Sequence, residues 1–324
     1  MSAFDTLLDR SIAGGYSRIG YAARSRGWPD DDPRPDALTG RTVLVTGATS
    51  GIGAAIAMGV AELGARPILV GRDAVRAEGV RADIARRFPD SRVAVELCDM
   101  ADLSRVRELA DRLLADGGVD VLVHNAGAMP AERTTSADGH ELSLAVHVLG
   151  PVLLTELLLP NLAKRPDPRV IFMSSGGMYT AGLPVDDLGY ERGEYRGAMA
   201  YARSKRVQTA LVPVLAQRWV SAGVLVAGMH PGWVDTPGVS ASLPGFTRVT
   251  GPLLRSVEQG ADTAIWLTAT APRPRNGQFW HDRQIRREHY LRRTRFSEPD
   301  RLAVWRQVAA ALDLPADLTG GITA

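Results

Sequence analysis

Short apolar runs alternate along this chain with longer stretches in which apolar residues recur at every third or fourth position. The runs at 42–46, 67–70, 92–97, 119–123, 169–173 and 224–229 are rich in Val, Leu and Ile and read as strands. Helical spacing covers 54–63, 74–88, 102–115, 141–162 and 199–220. This alternation predicts an α/β architecture, a doubly wound parallel sheet of at least six strands. Ser297, followed by Pro299 and Asp300, has the form of a helix start, so a last helix is expected through about Leu312. The Pro- and Asp-rich stretch 29–36 reads as a linker. It divides the chain into an N-terminal arm (1–39), one large domain (40–296) and a C-terminal helical extension (297–324).

In the arm, Phe4, Leu7, Leu8, Ile12, Tyr16 and Ile19 fall at roughly helical spacing. They predict an amphipathic helix that packs on the domain rather than on a membrane. The segment 142–160 is the most apolar, but His147, Pro151 and Glu156 interrupt it, as suits a buried helix rather than a membrane span. The start of the chain carries Asp5 and Asp9 in place of a basic start followed by an apolar run, so a cytoplasmic location is expected.

Composition narrows the function classes. With 324 residues, 45% hydrophobic and 23% charged, the chain can bury a sizeable core. A net charge of +2 speaks against a nucleic-acid partner. The basic stretch 283–295 reads as a solvated surface segment. Cys98 is the only cysteine, which excludes an internal disulfide, and no histidine cluster has metal-ligand spacing.

Two motifs carry chemistry. The first strand runs into Thr46-Gly47-Ala48-Thr49-Ser50-Gly51-Ile52-Gly53. Gly47 allows a tight bend, Gly51 lets backbone approach a pyrophosphate, and Gly53 permits close packing of the following helix. Ser50 and Ile52 complete a phosphate cradle at that helix N-terminus. Downstream, Tyr201 and Lys205 stand four apart, hence on one helix face. There an ammonium favours the phenolate and brings a poor acid–base group toward neutral pH. At the end of the second strand stands Arg72, where an acid would bind a ribose 2′-hydroxyl. A guanidinium there suits a 2′-phosphate and favours NADP(H) over NAD(H). Asp73 beside it reads as a helix N-cap.

These motifs, with His124-Asn125-Ala126-Gly127, Ser174-Ser175 and His230-Pro231-Gly232-Trp233-Val234-Asp235-Thr236, stand in one order. In that order the chain resembles the short-chain dehydrogenase/reductase superfamily, with its Rossmann fold, from about residue 40 to 270. Ser174-Ser175-Gly176-Gly177-Met178 and Gln259-Gly260-Ala261-Asp262-Thr263 also look like its member 12-like branch, a resemblance that implies no particular substrate. The resemblance implies that Ser175 hydrogen-bonds the substrate oxygen, with Ser174 as the alternate, that Tyr201 is the acid in reduction, and that Lys205 holds the nicotinamide ribose. It further implies that Asp99 contacts adenine, Asn125 the adenosine ribose region, and Val234 with Thr236 the nicotinamide carboxamide. Tyr195 competes with Tyr201 but has Met199, not lysine, four residues on.

One position departs from the family pattern. Where the resemblance places a catalytic asparagine, in Asn-x-x-Gly, this chain has His147-Val148-Leu149-Gly150. Histidine can donate and accept hydrogen bonds and can charge near neutral pH. Two readings stand: a relay histidine, or a core histidine with no part in catalysis. His124, in place of another family asparagine, reads as structural. The expected function is reversible hydride transfer between NADP(H) and a hydrophobic carbonyl or the corresponding alcohol. The alternative is a catalytically weakened NADPH-binding or interaction protein; self-association is left open. Residues 236–254, with Pro237, Gly238, Pro244, Gly245 and Phe246, read as an apolar lid, and 179–197 as part of a substrate wall.

Overall fold

The computed structural model describes residues 11–236 and 250–318, together with 5, 8, 9, 245 and 248; of Ile12 and Ala13 it describes the backbone alone. Among them runs one eight-stranded sheet: β1 Thr42–Thr46, β2 Arg66–Gly71, β3 Ala94–Leu97, β4 Val121–His124, β5 Arg169–Met173, β6 Leu225–Met229, β7 Gln278–His281 and β8 Gln284–Ile285. The spatial order is β3-β2-β1-β4-β5-β6-β7-β8, parallel throughout except for the antiparallel β7–β8 pair. The parallel sheet expected from the alternation is present. The sequence reading stopped at β6, because Gln278-Phe279-Trp280-His281 is short and polar at both ends.

The strands are apolar on both faces because both faces are covered. Leu44, Leu122, Val170 and Val226 enter one core, which also holds Trp219 and Trp305. Val43, Val45, Val121, Val123, Ile171 and Met173 enter the other. The helices of the first face include Leu103–Ala115, the long element Leu142–Leu162 and Gly197–Arg218. Gly51–Glu62 and Val257–Ala269 cover the second, the latter unread in the sequence. Leu142–Leu162 is long and apolar enough to cross a membrane by composition, yet 78% of its most apolar stretch is buried inside the fold.

The last helix, Glu298–Ala311, starts where the sequence reading put it: Ser297 and Asp300 form a reciprocal capping box. Asp73 likewise caps Ala74–Arg87, accepting from the Arg76 amide. The arm differs from the single amphipathic helix expected. It is broken at Ser17 into Ile12–Tyr16 and Arg18–Ser25, and of the apolar set Tyr16 is buried while Ile19 is 57% exposed. Phe4 and Leu7 lie outside the described residues.

The basic stretch is also not the solvated segment expected. Arg286 is buried and pairs with Asp5 at 2.7 Å, and Arg283 pairs with Asp262 at 2.6 Å, so two of its arginines fasten parts of the fold together. Arg287, Arg292, Arg293 and Arg295 are exposed, as expected.

Four histidines are buried: His124, His147, His230 and His281. Burial holds each of them neutral, His124 and His281 down to about 3 and the other two well below the ordinary value of 6.5. Below about pH 6.5 the unfolded chain therefore takes up protons that the folded one refuses, and stability falls with pH. Between pH 7 and 5.5 we expect a loss of about 1 kcal/mol per histidine. Urea unfolding at the two pH values measures it, and a stability that holds or rises on acidification contradicts this account.

Candidate active site

The glycine turn after β1 closes on the start of the loop after β4. Thr46 Oγ1 accepts from the Asn125 and Ala126 amides, both at 3.0 Å, and Asn125 Nδ2 donates to the Thr46 carbonyl at 2.9 Å and to that of Gly47 at 3.3 Å. Gly47 sits at φ +67°, and a Cβ there would stand 2.8 Å from Ala126 Cα, so only glycine fits. Gly53 packs against the Gly47 carbonyl and the Asn125 amide, tightening the turn itself. Asn125, by resemblance a ribose contact, thus spends its amide donors on bracing the turn. Gly51, at φ +54°, faces Thr236, whose methyl is 3.6 Å from where a Cβ would be. Ser50 is exposed at the N-cap of Gly51–Glu62 and its side chain makes no capping bond, which leaves its hydroxyl for an anion. Ile52 and the buried Val234 pack around Gly260.

A cavity of about 430 Å³ runs from this turn to Arg72, Asp73, Arg76 and Asp99. Arg72 Nη1 lies 3.4 Å from Asp99 Oδ2, and Arg76 Nε 3.2 Å from Asp73 Oδ2. The corner thus holds two exposed guanidiniums, each beside a carboxylate. Asp99 also accepts from the Ala101 amide at 3.0 Å. Arg76 was missed in the sequence, although its position four residues after Arg72, on the first turn of a helix that opens there, was a usable signal.

Across the carboxyl ends of β5 and β6 stand Ser175, Tyr201 and Lys205. Lys205 is buried and donates from Nζ to the Met173 carbonyl at 2.6 Å; burial lowers it to about 7. Tyr201 is half-buried, with Lys205 Nζ 5.8 Å from its ring. Desolvation raises its phenol, and a hydrogen bond with Ser175 only partly offsets this. The lowering of Tyr201 by an ammonium, expected from the spacing, is therefore corrected: Lys205 is turned to Met173, and burial favours the neutral form of both groups.

The two serines now separate. Ser174 Oγ is bonded to Thr209 Oγ1 at 2.8 Å and to the Lys205 carbonyl at 3.2 Å, and is buried. Ser175 Oγ accepts from the Gly177 amide at 3.1 Å and faces Tyr201. Tyr195 is spent on Glu141, at 2.9 Å. Of the wall segment, Tyr179 turns inward to pack on Tyr16 and Phe279. Of the lid, Pro237, Gly238, Pro244 and Phe246 lie outside the described residues.

Residues 41–244 match the family model of short chain dehydrogenase. The chain belongs to that family. Dehydrogenase/reductase SDR family member 12 of Bos taurus is 40% identical over 274 residues, which are 83% of this chain and 84% of the relative. Retinol dehydrogenase 12 of Homo sapiens is 33% identical over 249 residues, covering 76% and 78% of the two chains. Among solved structures, a short chain dehydrogenase from Shigella flexneri complexed with NADP matches with a TM-score of 0.62 and 25% identity, over 77% of this chain and 100% of the other. The protein is accordingly an NAD(P)-dependent oxidoreductase of small molecules.

Within this short chain dehydrogenase, His147 sits in a π-helical turn, Ala145–Leu149, and is buried. Its Nε2 accepts from the Ala128 amide at 3.0 Å, so Nδ1 carries the proton and donates to Ser204 Oγ at 2.8 Å. Ser204 in turn donates to the Tyr201 carbonyl at 2.8 Å. Both ring nitrogens are engaged, and burial with the nearby Lys205 charge holds the ring neutral. The expectation that His147 charges near neutral pH is thus corrected: protonation would break the Ala128 bond inside a dry site. His147→Phe keeps the ring volume but strands that amide and removes one of the two bonds of the Ser204 hydroxyl, and should cost about 2 kcal/mol of stability. An unchanged denaturant midpoint would show that the bridge carries no weight.

Proposed function

We propose that this protein is an NADP(H)-dependent oxidoreductase that reversibly interconverts a hydrophobic carbonyl compound and its alcohol. The observation that carries this reading is the grouping of Ser175, Tyr201 and Lys205, with the Tyr201 ring against His147, which in turn holds Ala128 on the wall of the cavity that contains the glycine cradle and two arginines. Those residues fit a dinucleotide: anion-binding backbone at 47–53, and guanidiniums at the far corner of the cavity that starts at Gly47 and Ser50. The bound nicotinamide supplies or accepts the hydride.

The chain's own residues handle the proton and the geometry. Tyr201, with a raised phenol, keeps its proton at neutral pH and is suited to donate it to a carbonyl oxygen during reduction. Ser175 shares that oxygen and aligns it. Lys205, at about 7, is divided between its two forms near neutrality and can restore the Tyr201 proton. Support for an apolar substrate comes from the apolar residues of 236–254 and from the relative named for retinol. The weakened-enzyme reading rests on His147, whose ring has no nitrogen left for a relay water.

Tyr201→Phe should lower turnover at least about a hundredfold and leave NADPH binding nearly intact. Undiminished turnover on the carbonyls found by screening with NADPH removes Tyr201 from the mechanism, and NADPH binding without turnover on any carbonyl or alcohol favours the weakened-enzyme reading. At the arginine corner of the cavity, Arg72→Ala should weaken NADPH binding roughly tenfold and NADH binding much less, since only the former has a 2′-phosphate to lose. Equal losses, read by fluorescence titration, would make Arg72 structural.

A further inference from the structure

Loop 230–236 after β6 carries Val234 and Thr236, and it is held from two sides. On one, Arg255 takes both backbone bonds of a bridge: its amide donates to the Trp233 carbonyl at 2.7 Å and its carbonyl accepts from Asp235 at 3.0 Å. On the other lies the arm. The Trp233 amide donates to the Tyr16 carbonyl at 2.8 Å, and Arg255 Nε donates to the carbonyls of Tyr16 at 3.0 Å and Ser17 at 3.2 Å. Gly232, at φ +82°, is wedged between them: a Cβ there would stand 2.6 Å from Arg255 Nε and 2.7 Å from the Tyr16 carbonyl. The Tyr16 ring meets His230 edge-on, with centroids 4.6 Å apart, and comes within 3.3 Å of a Cβ placed on Gly176, the residue after Ser175. One arm residue therefore touches both the serine turn and the loop opposite it.

The arm is fastened by buried charges rather than by apolar contact alone. Arg24 pairs with Asp5 and with Asp282, each at 2.7 Å; Asp282 also takes Arg255 at 2.6 Å, and Asp5 takes Arg286 at 2.7 Å. Each of these side chains is less than a tenth exposed. Lifting the arm would take Arg24 from Asp282 and Asp5 from Arg286 in the interior, leaving Asp282 with Arg255 alone of its two arginines.

We infer that the N-terminal arm is a working part of the active site, with Tyr16 as a positioning residue that sets the spacing between the turn after Ser175 and loop 230–236. This rests on the proposed NADP(H) reading, in which the nicotinamide and the substrate carbonyl lie between those two segments. The ring does the positioning, since the ring is what meets His230 and Gly176, while the Tyr16 hydroxyl is on the side of Tyr179 and Tyr290.

The test uses the full chain with Tyr16→Leu, which keeps apolar volume so that the arm stays seated, and Tyr16→Phe, which keeps the ring. Hydrogen exchange of the ligand-free proteins follows the Trp233 amide, while titrations use NADPH and adenosine 2′,5′-bisphosphate, a probe confined to the adenosine corner. Tyr16→Leu should speed exchange at Trp233 and weaken NADPH roughly tenfold, leave the bisphosphate unchanged, and be rescued by Tyr16→Phe. Equal weakening of both ligands, weakening of neither, or unaltered exchange overturns the inference. A wild-type protein that binds neither nucleotide defeats the cofactor reading instead, and the exchange comparison still decides whether Tyr16 straps the loop.

Discussion

The knot between Thr46 and Asn125 is the interaction on which the rest of the site depends. It ties the ends of β1 and β4 at the point where the strand order turns from β1 toward β2 on one side and β4 toward β5 on the other. Crevices of this kind lie at the carboxyl ends of parallel strands, where a ligand reaches helix N-termini from both sides. Here the knot fixes the Gly47 bend, and with it the direction in which Gly51–Glu62 presents its first amides. It also fixes the path of Ala126, Gly127 and Ala128, and from Ala128 a run of hydrogen bonds continues through His147 and Ser204 to the carbonyl of Tyr201. The cofactor cradle and the catalytic helix are thereby one framework.

That framework is dry where the chemistry is. Lys205, Ser174, Ser204, Thr209 and His147 are all buried, and their polar atoms are matched to one another or to backbone. Desolvation moves Tyr201 and Lys205 in opposite directions on the pH scale, yet to the same end, since each is driven toward its neutral form. In the proposed reaction these two groups would serve as proton donor and proton source. The residue spacing alone suggested a different pairing, a phenolate held by an ammonium.

What could be read in the sequence follows how local the determining physics is. The glycine spacing, the four-residue separation of Tyr201 and Lys205, the Ser297–Asp300 box and the Asp73 cap are each set within one turn of chain, and the structure contains them all. The apolar runs betrayed the parallel sheet because both of its faces are buried. The arm's attachment was illegible: Arg24 and Asp282 are 258 residues apart, and nothing in either neighbourhood announces the other. The same holds for Arg286, which in sequence belongs to a basic stretch and in space belongs to Asp5. That the alternate, Ser174, is tied to Thr209 could be seen only in the fold, and Arg76 reaches the cavity through the helix that opens after Asp73.

His147, the departure from the family pattern, fastens two elements of the site at once. An asparagine side chain also offers one acceptor and one donor, but they sit close together on a short carboxamide, whereas the imidazole carries them on opposite sides of a ring. That width lets one residue accept from the loop after β4 and donate to the catalytic helix at the same time. Gly127 leaves the necessary room, since a Cβ there would come within 3.3 Å of His147 Nε2. The main-chain carbonyl of His147 is occupied too, by Gln208 Nε2 at 2.7 Å. With ring and carbonyl both engaged, the bridge ties the loop after β4 to the helix that carries Tyr201. In the proposed reaction the replacement of the Tyr201 proton falls to Lys205, which burial lowers to about 7.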